Sequence, residues 1–382
     1  MCMYDSQLAS LRSVMLGGEQ MGEVMKNSTG ERTGPGETED QQVSFPCPSL
    51  LRRKVVLHMD LNNTILVSDS VTKQGTVAAL DCFLSTVTWG RLRQGKWEWM
   101  SDSPSLLPPC EGTVSYYSQF GRVANFTKTP AGRRFRGLLE EHLAMLRWPA
   151  GHKEDRDLSV RGEDGQLYHW ILPSFFQLLQ DLGSQGREFA ILFRTFGTDL
   201  PRLLGTLQRV LTQGCHPLFP DLPALKLSIN VVPGRIRRSR KGTSLSRAEE
   251  HVSYQDGERS LYQYFSSVQG LGGFQDHFDW WARNTYSILG GKPLLVDPYD
   301  HRVQHIFIDD NIRQDDKDTI VHPKVFLEPG ATQTRTASTL ELYDICLVQN
   351  HLLKAISDHS YFTQCVQICL ENYETNLMQG AC

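Results

Sequence analysis

The segment Lys54-Val-Val-Leu-His-Met-Asp60-Leu-Asn62-Asn-Thr64 constrains the fold more than any other part of the chain. An apolar run of strand length stops at an acid, and a polar turn ending in Thr follows. Buried parallel strands read as continuous apolar runs of this kind, and open α/β sheets bind ligands beyond the carboxyl ends of their strands. The segment therefore predicts a buried strand over 54–59 that delivers the Asp60 carboxylate to that edge. The same form recurs about 250 residues later as His305-Ile-Phe-Ile-Asp309-Asp310. Carboxylates gathered by two such strands are hard oxygen donors of the kind a divalent cation takes. Two residues beyond Asp60 stands Asn62 rather than a second Asp, and that choice bears on what the site can do.

With 382 residues the chain has room for two domains or one domain with large insertions, and 40% hydrophobic residues can build a sizeable core. A net charge of -4 argues against general nucleic-acid binding. No apolar run approaches the roughly 20 residues of a membrane span. The start, Met1-Cys-Met-Tyr-Asp, lacks the basic and apolar regions of a signal peptide. The nine cysteines are scattered without a CxxC, which fits free thiols in a reducing compartment. A cytoplasmic protein is expected, with the nucleus as a second location if the basic run Arg235–Lys241 serves import; that run otherwise reads as a solvated loop. Cys365 and Cys369 stand four apart on an expected helix, but no further ligand completes a zinc set, so packing explains them better.

The expected fold class is α/β, a doubly wound parallel sheet with inserted cap elements and C-terminal helices. Residues 1–52 read as a disordered tail, 53–330 as the core and 331–382 as C-terminal helices. Two insertions interrupt the core. Residues 68–165 are β-rich, with a hairpin turn at Gln94-Gly95, followed by a helix over Arg133–Trp148 and a charged loop over Gly151–Gly165. Residues 212–286 form a second cap-like segment, with a strand over Leu225–Val232 and a helix over Phe274–Tyr286. Between them, a helix from Pro173, a strand over Phe189–Phe193 and a helix from Pro201 indicate crossover connections in a parallel sheet. Near the end, Ser338 and Glu341 form a capping box before an expected helix, and another helix is expected over Tyr361–Leu377. His58 and the tryptophans Trp97, Trp99, Trp280 and Trp281 read as core residues.

Taken in order, these motifs resemble the haloacid dehalogenase-like hydrolase superfamily. Asp60-Leu-Asn62-Asn-Thr64 resembles its first motif, and Phe189 to Thr195 its second, an apolar strand ending in Thr or Ser. Lys292-Pro293 sits where the third motif places its Lys, and Ile306-Phe-Ile-Asp309-Asp310 resembles the fourth. The resemblance covers the scaffold, roughly residues 53 to 66, 168 to 211 and 287 to 325, and leaves out the tail, the insertions and the last helices. It implies a Rossmann-like core and Mg²⁺-dependent phosphoryl transfer through an aspartyl-phosphate on Asp60. It further implies Mg²⁺ held by Asp60, Asp309 and the backbone carbonyl of Asn62, with Asp310 as a direct or supporting acid. Lys292 would neutralise charge and Thr195 would hydrogen-bond a phosphoryl oxygen. Thr195 can equally be a helix cap, a role that Thr198 or Asp199 also fits.

The departure is Asn62. In the family's phosphatases the matching Asp protonates the leaving group and activates water. An amide offers hydrogen bonds but no titrating proton near neutral pH. Losing such general acid–base help typically costs about 10²–10⁴-fold in rate. The expected function is thus a weak phosphatase or hydrolase, with a catalytically inactive relative as the alternative. The partners implied are a small phosphorylated molecule, a phosphoprotein or another protein partner.

Overall fold

The computed structural model describes residues 53–68, 73–314 and 319–380; the expected tail over 1–52 lies outside them. The strand Lys54–Met59 is buried along its whole length, as its apolar sequence requires. It pairs in parallel with Phe189–Thr195 on one side and Val303–Asp309 on the other. Gly270–Gln275 and then Gly234–Ser239 extend the sheet past Phe189–Thr195, and Leu347–Gln349 extends it past Val303–Asp309, all in parallel. An antiparallel hairpin, Gly242–Arg247 and Glu250–Val252, completes eight strands at one edge. The result is a mixed α/β protein around a large, mostly parallel sheet compatible with a Rossmann-like fold.

Alternation along the central strands feeds two cores, one on each face of the sheet. Val55, Leu57, Met59, Ile191 and Phe193 enter one core, while Val56, Ala190 and Leu192 enter the other. Period-2 side-chain direction makes this division automatic once the strands are buried on both faces. The helices Pro173–Ser184 and Leu200–Gln213 contribute to the first core. In the latter, Leu203, Leu204, Leu207, Val210 and Leu211 make the i, i+1, i+4, i+7, i+8 stripe of an amphipathic helix. Pro201 sits in its first turn, and Gly214 ends it in the left-handed conformation at φ 61°. Each buried Leu of that stripe stabilises the packing by roughly 1.5–3 kcal/mol relative to exposure. On the other face lie the helix Gly257–Ser267 and a small sheet in which Lys292–Val296 pairs in parallel with Val321–Phe326.

Several expectations need correction. Leu225–Val232 is not a strand. The chain makes a 3₁₀ turn over Leu222–Leu225, and the strand begins at Gly234. The basic run is therefore no loop but a strand and its turn. Arg235 and Arg237 point to solvent, while Ile236 is fully buried, so alternation hides the one apolar residue. Phe274 lies in the strand Gly270–Gln275, and the aromatic helix is confined to Phe278–Arg283. The capping box exists, with Ser338 Oγ accepting from Glu341 N at 3.2 Å, but its helix covers only Thr339–Leu342. The residues beyond it return to the sheet as Leu347–Gln349, so the core extends past residue 330. The first insertion contains the expected hairpin, with Gln94 and Gly95 at φ 50° and 75°, the positive values a tight two-residue turn requires. It also contains an unforeseen helix, Thr76–Thr86. Among the described residues, no helix is long and apolar enough to cross a membrane.

Candidate functional site

Asp60 immediately follows its strand, and its backbone N–H still donates to Ile308 O at 3.0 Å. Asp309 ends the neighbouring strand, one residue beyond Ile308, which stands opposite Met59. Parallel pairing in register thus places the two acids side by side at the carboxyl edge. Asp310 follows Asp309 into the turn. One carboxylate oxygen from each of Asp60, Asp309 and Asp310 lies within 4.8 Å of the others. Asp309 is fully buried and Asp60 is 7% exposed.

Lys292 reaches this cluster from the small second sheet. Its Nζ donates to Asp60 Oδ1 at 2.6 Å, Asp309 Oδ2 at 2.8 Å and the Arg194 carbonyl at 2.9 Å. That uses the three donors of an ammonium. Burial opposes the Lys292 charge, but Asp309 and Asp60 outweigh it and hold the ammonium above its usual range. Burial pushes the Asp60 carboxyl up to about 7 from 3.8; Lys292 works against that rise and Asp309 adds to it. Burial and then repulsion by Asp309 and Asp60 push Asp310 well above the usual carboxylate range. The upward shifts of Asp60 and Asp310 show that these acids repel one another with one ammonium among them, a repulsion that a proton or a bound cation would relieve.

The donor set fits a hard divalent ion. Mg²⁺–oxygen bonds of about 2.1 Å put two ligand oxygens of one ion about 3 to 4 Å apart, so side-chain shifts of about an ångström would suffice. The backbone and side-chain amides of Asn311 already hold part of the set in place. Asn311 N donates to Asp309 Oδ1 at 2.9 Å, and Asn311 Nδ2 donates to Asp310 Oδ1 at 2.6 Å. Asn350 N donates to Asp309 O, and its Nδ2 to Asn63 O at 2.8 Å, tying the adjacent strand end to the turn after Asp60.

That turn is tight. Thr64, Ile65 and Leu66 all donate N–H groups to Leu61 O, and Asn63 takes φ 57°. Asn62 Oδ1 and Thr64 Oγ1 are buried without a hydrogen-bond partner. Buried polar atoms are normally paired, so the turn presents unused acceptor capacity beside the acids. Thr195 ends its strand two residues beyond Phe193, which pairs with Met59. Its Oγ1 accepts from Gly197 N at 2.9 Å, closing the local turn rather than capping the following helix. Asp199 occupies the N-cap position of that helix without a side-chain capping bond. The structure thus brings Asp60, Asp309 and Lys292 into direct contact with Asp310 beside the two acids, and sets Asn62 and Thr195 on flanking turns.

The sequence reading missed Arg194 and Asp276. Arg194 is fully buried and pairs with Asp276 through Nε–Oδ2 at 2.8 Å and a terminal nitrogen to Oδ1 at 2.7 Å. The signal for Arg194 was visible, since a guanidinium inside the apolar run Phe189–Thr195 must find a buried partner. Nothing local marked Asp276 as that partner. Arg194 also donates to His58 Nδ1 at 3.1 Å, and His58 Nε2 lies 3.0 Å from His305 Nδ1. An arginine has no acceptor, so His58 carries its proton on Nε2 and donates to His305, which in turn donates from Nε2 to Ser266 Oγ at 2.9 Å. Both rings are neutral: burial and then Arg194 hold His58 well below its usual range, and burial takes His305 down to about 3. His58 is thus a satisfied core histidine, as its place in the strand implied. Trp97 and Trp99 belong to an aromatic core with Tyr116, and Trp281 stacks on Phe196.

Comparison with known proteins finds no matching family model, curated protein or solved structure.

Proposed function

We propose that the chain is a haloacid dehalogenase-like protein that binds Mg²⁺ and a phosphorylated ligand and transfers the phosphoryl group to Asp60, weakly because Asn62 cannot act as acid or base. The observation that carries this reading is the meeting of Asp60, Asp309 and Asp310 within 4.8 Å at the carboxyl edge of a parallel sheet, with the buried Lys292 bridging Asp60 and Asp309. A structural ion pair needs one acid for one ammonium; here two acids share it and a third stands beside them. Strand order also supports the reading, since the strands ending in Thr195 and Asp309 flank the Asp60 strand directly.

Each residue has a role that its surroundings suit. The Asp60 carboxylate would attack phosphorus, forming the Asp60–phosphorus bond as the bond to the leaving oxygen breaks. Burial favours the neutral carboxyl, so the attacking anion depends on nearby positive charge, and Lys292 supplies part of it. Mg²⁺ on Asp60, Asp309 and Asp310, with the Asn62 carbonyl as a further oxygen, would screen the carboxylate from the phosphate. Lys292 would fix the orientation of Asp60 and stabilise charge on the phosphoryl group. Thr195 would exchange its bond from Gly197 for one to a phosphoryl oxygen. Leaving-group protonation and water activation fall to no side chain at position 62. The alternative reading, an inactive binder of a phosphorylated ligand or protein, rests on that same Asn62.

Restoring the missing group separates the two. Asn62→Asp should raise Mg²⁺-dependent phosphate release from a panel of phosphorylated metabolites by about 10²-fold or more, and Asp60→Asn on that background should abolish it. Undetectable turnover in wild type and Asn62→Asp alike, with phosphate still bound, would leave the binding reading in place.

A further inference from the structure

We infer that Arg194 is a positioning residue for Lys292: a buried guanidinium brace that holds the Lys292 backbone, and through it the ammonium, against the acids. This rests on the reading of Lys292 given above.

Lys292 has a placement problem. It belongs to the small sheet, where its N–H donates to Ile320 O at 2.6 Å, whereas Asp60 and Asp309 belong to the large one. The two sheets must be fixed against each other at this point for the bonds of 2.6 and 2.8 Å from Lys292 to the acids to form. Arg194 does so from both ends of its own residue. Its carbonyl accepts from Lys292 Nζ at 2.9 Å, and its guanidinium donates to the carbonyl of Pro293, the next residue after Lys292, at 3.2 Å. The two residues therefore grip each other reciprocally.

The guanidinium is itself bonded on all three of its nitrogens. Asp276, at the end of the strand Gly270–Gln275, holds two of its nitrogens, and its own N–H donates to Thr195 O at 2.8 Å. His58, in the Asp60 strand, holds the third nitrogen. Phe265 and Phe307 rings lie 5.5 and 5.3 Å from the guanidinium carbon. One side chain thus ties three neighbouring strands of the large sheet to the Lys292 strand. It makes four bonds in a planar fork, and an ammonium at the same place could not copy that geometry. A stability role alone would require only the pair with Asp276. The bond to Pro293 adds nothing to that pair and points to Lys292.

The test reads Lys292 directly. Wild type, Arg194→Lys and Arg53→Met would be labelled with an amine-acylating reagent, and modification of Lys292 would be followed by mass spectrometry. Arg53 is a buried arginine paired with Glu374, remote from the acids, and serves as a control for general destabilisation. The expected result is Lys292 labelling at least about 10-fold faster in Arg194→Lys than in wild type, with little change in Arg53→Met at matched thermal stability. Equal protection of Lys292 in wild type and a folded Arg194→Lys overturns the inference, as does equal exposure in both variants. Should Arg194→Lys not fold, the milder Asp276→Asn, which loosens the same guanidinium, takes its place with the same criteria. A second reading uses Mg²⁺-dependent fluoroberyllate binding. Arg194→Lys should weaken it about 10-fold, and adding Lys292→Met to Arg194→Lys should cost less than it does in wild type; strictly additive losses overturn the inference. Failure of wild type to bind fluoroberyllate at all counts against phosphoryl transfer, while the labelling result still decides the role of Arg194.

Discussion

Replacing Lys292 by Met would test the electrostatic design of the site without changing its shape greatly. The substitution removes an ammonium that donates to Asp60, Asp309 and the Arg194 carbonyl at 2.6 to 2.9 Å, and that side chain is fully buried. Removing one partner of a buried pair typically costs about 3–5 kcal/mol, because the other charge stays behind unpaired. The orphaned carbonyl adds about 1 kcal/mol. The loss depends on pH, and its sign follows from Asp60. A carboxyl whose folded pKa is raised contributes stability below its unfolded value, and that stability is lost as pH rises through the folded one. In wild type that loss runs from about 4 to about 7. Without Lys292 the carboxyl keeps its proton to still higher pH, so variant and wild type diverge further above about 7, by up to ~1.4 kcal/mol per pH unit. Urea denaturation at pH 6 and pH 8.5, without divalent cation, would measure both quantities. A deficit of about 4–6 kcal/mol at pH 6, growing by about 1–2 kcal/mol at pH 8.5, is expected. A deficit below about 1 kcal/mol, or one equal at both pH values, would refute the argument that Lys292 neutralises buried acids.

Two further outcomes are expected. Gly291→Ala should destabilise by about 1–3 kcal/mol in thermal or urea melts, because a Cβ there would stand 2.4 Å from Ile320 O, next to Lys292; a neutral substitution would mean that the Lys292 strand can shift freely. Nitrogen NMR should find His58 and His305 neutral with bare Nδ1 atoms from pH 5 to 8, as the chain from Arg194 to Ser266 dictates; a protonated Nδ1 on His58 would break that chain.

What the sequence made legible was whatever repeated locally. Lys54–Met59 and Ile306–Asp309 announced themselves because burial on both faces demands unbroken apolar runs. Asp60, Asp309 and Asp310 could be singled out because strand ends are local signals, whereas Lys292 was singled out only by the resemblance of its place to a known family's third motif. Gly270–Gln275 was not legible: three glycines and no β-branched residue hide a strand buried by its neighbours rather than by its own side chains. Gly273 shows why, since a Cβ there would lie 2.5 Å from Leu200. The strand Gly234–Ser239 was concealed by its arginines, and the short Leu347–Gln349 strand by a preceding capping signal. The Arg194–Asp276 pair spans 82 residues, and pairing over such a distance is fixed by tertiary packing alone.

If Asp60 is the phosphoryl-accepting carboxylate of a divalent-cation site, as proposed, it should form a stable mimic of its aspartyl-phosphate. Fluorine NMR of the protein with fluoroberyllate, a mimic of an aspartyl-phosphate, tests it most directly. Wild type should give a bound fluorine signal that requires Mg²⁺ and disappears in both Asp60→Asn and Asp309→Asn. A wild type without that signal, or a signal that persists in Asp60→Asn, would contradict it.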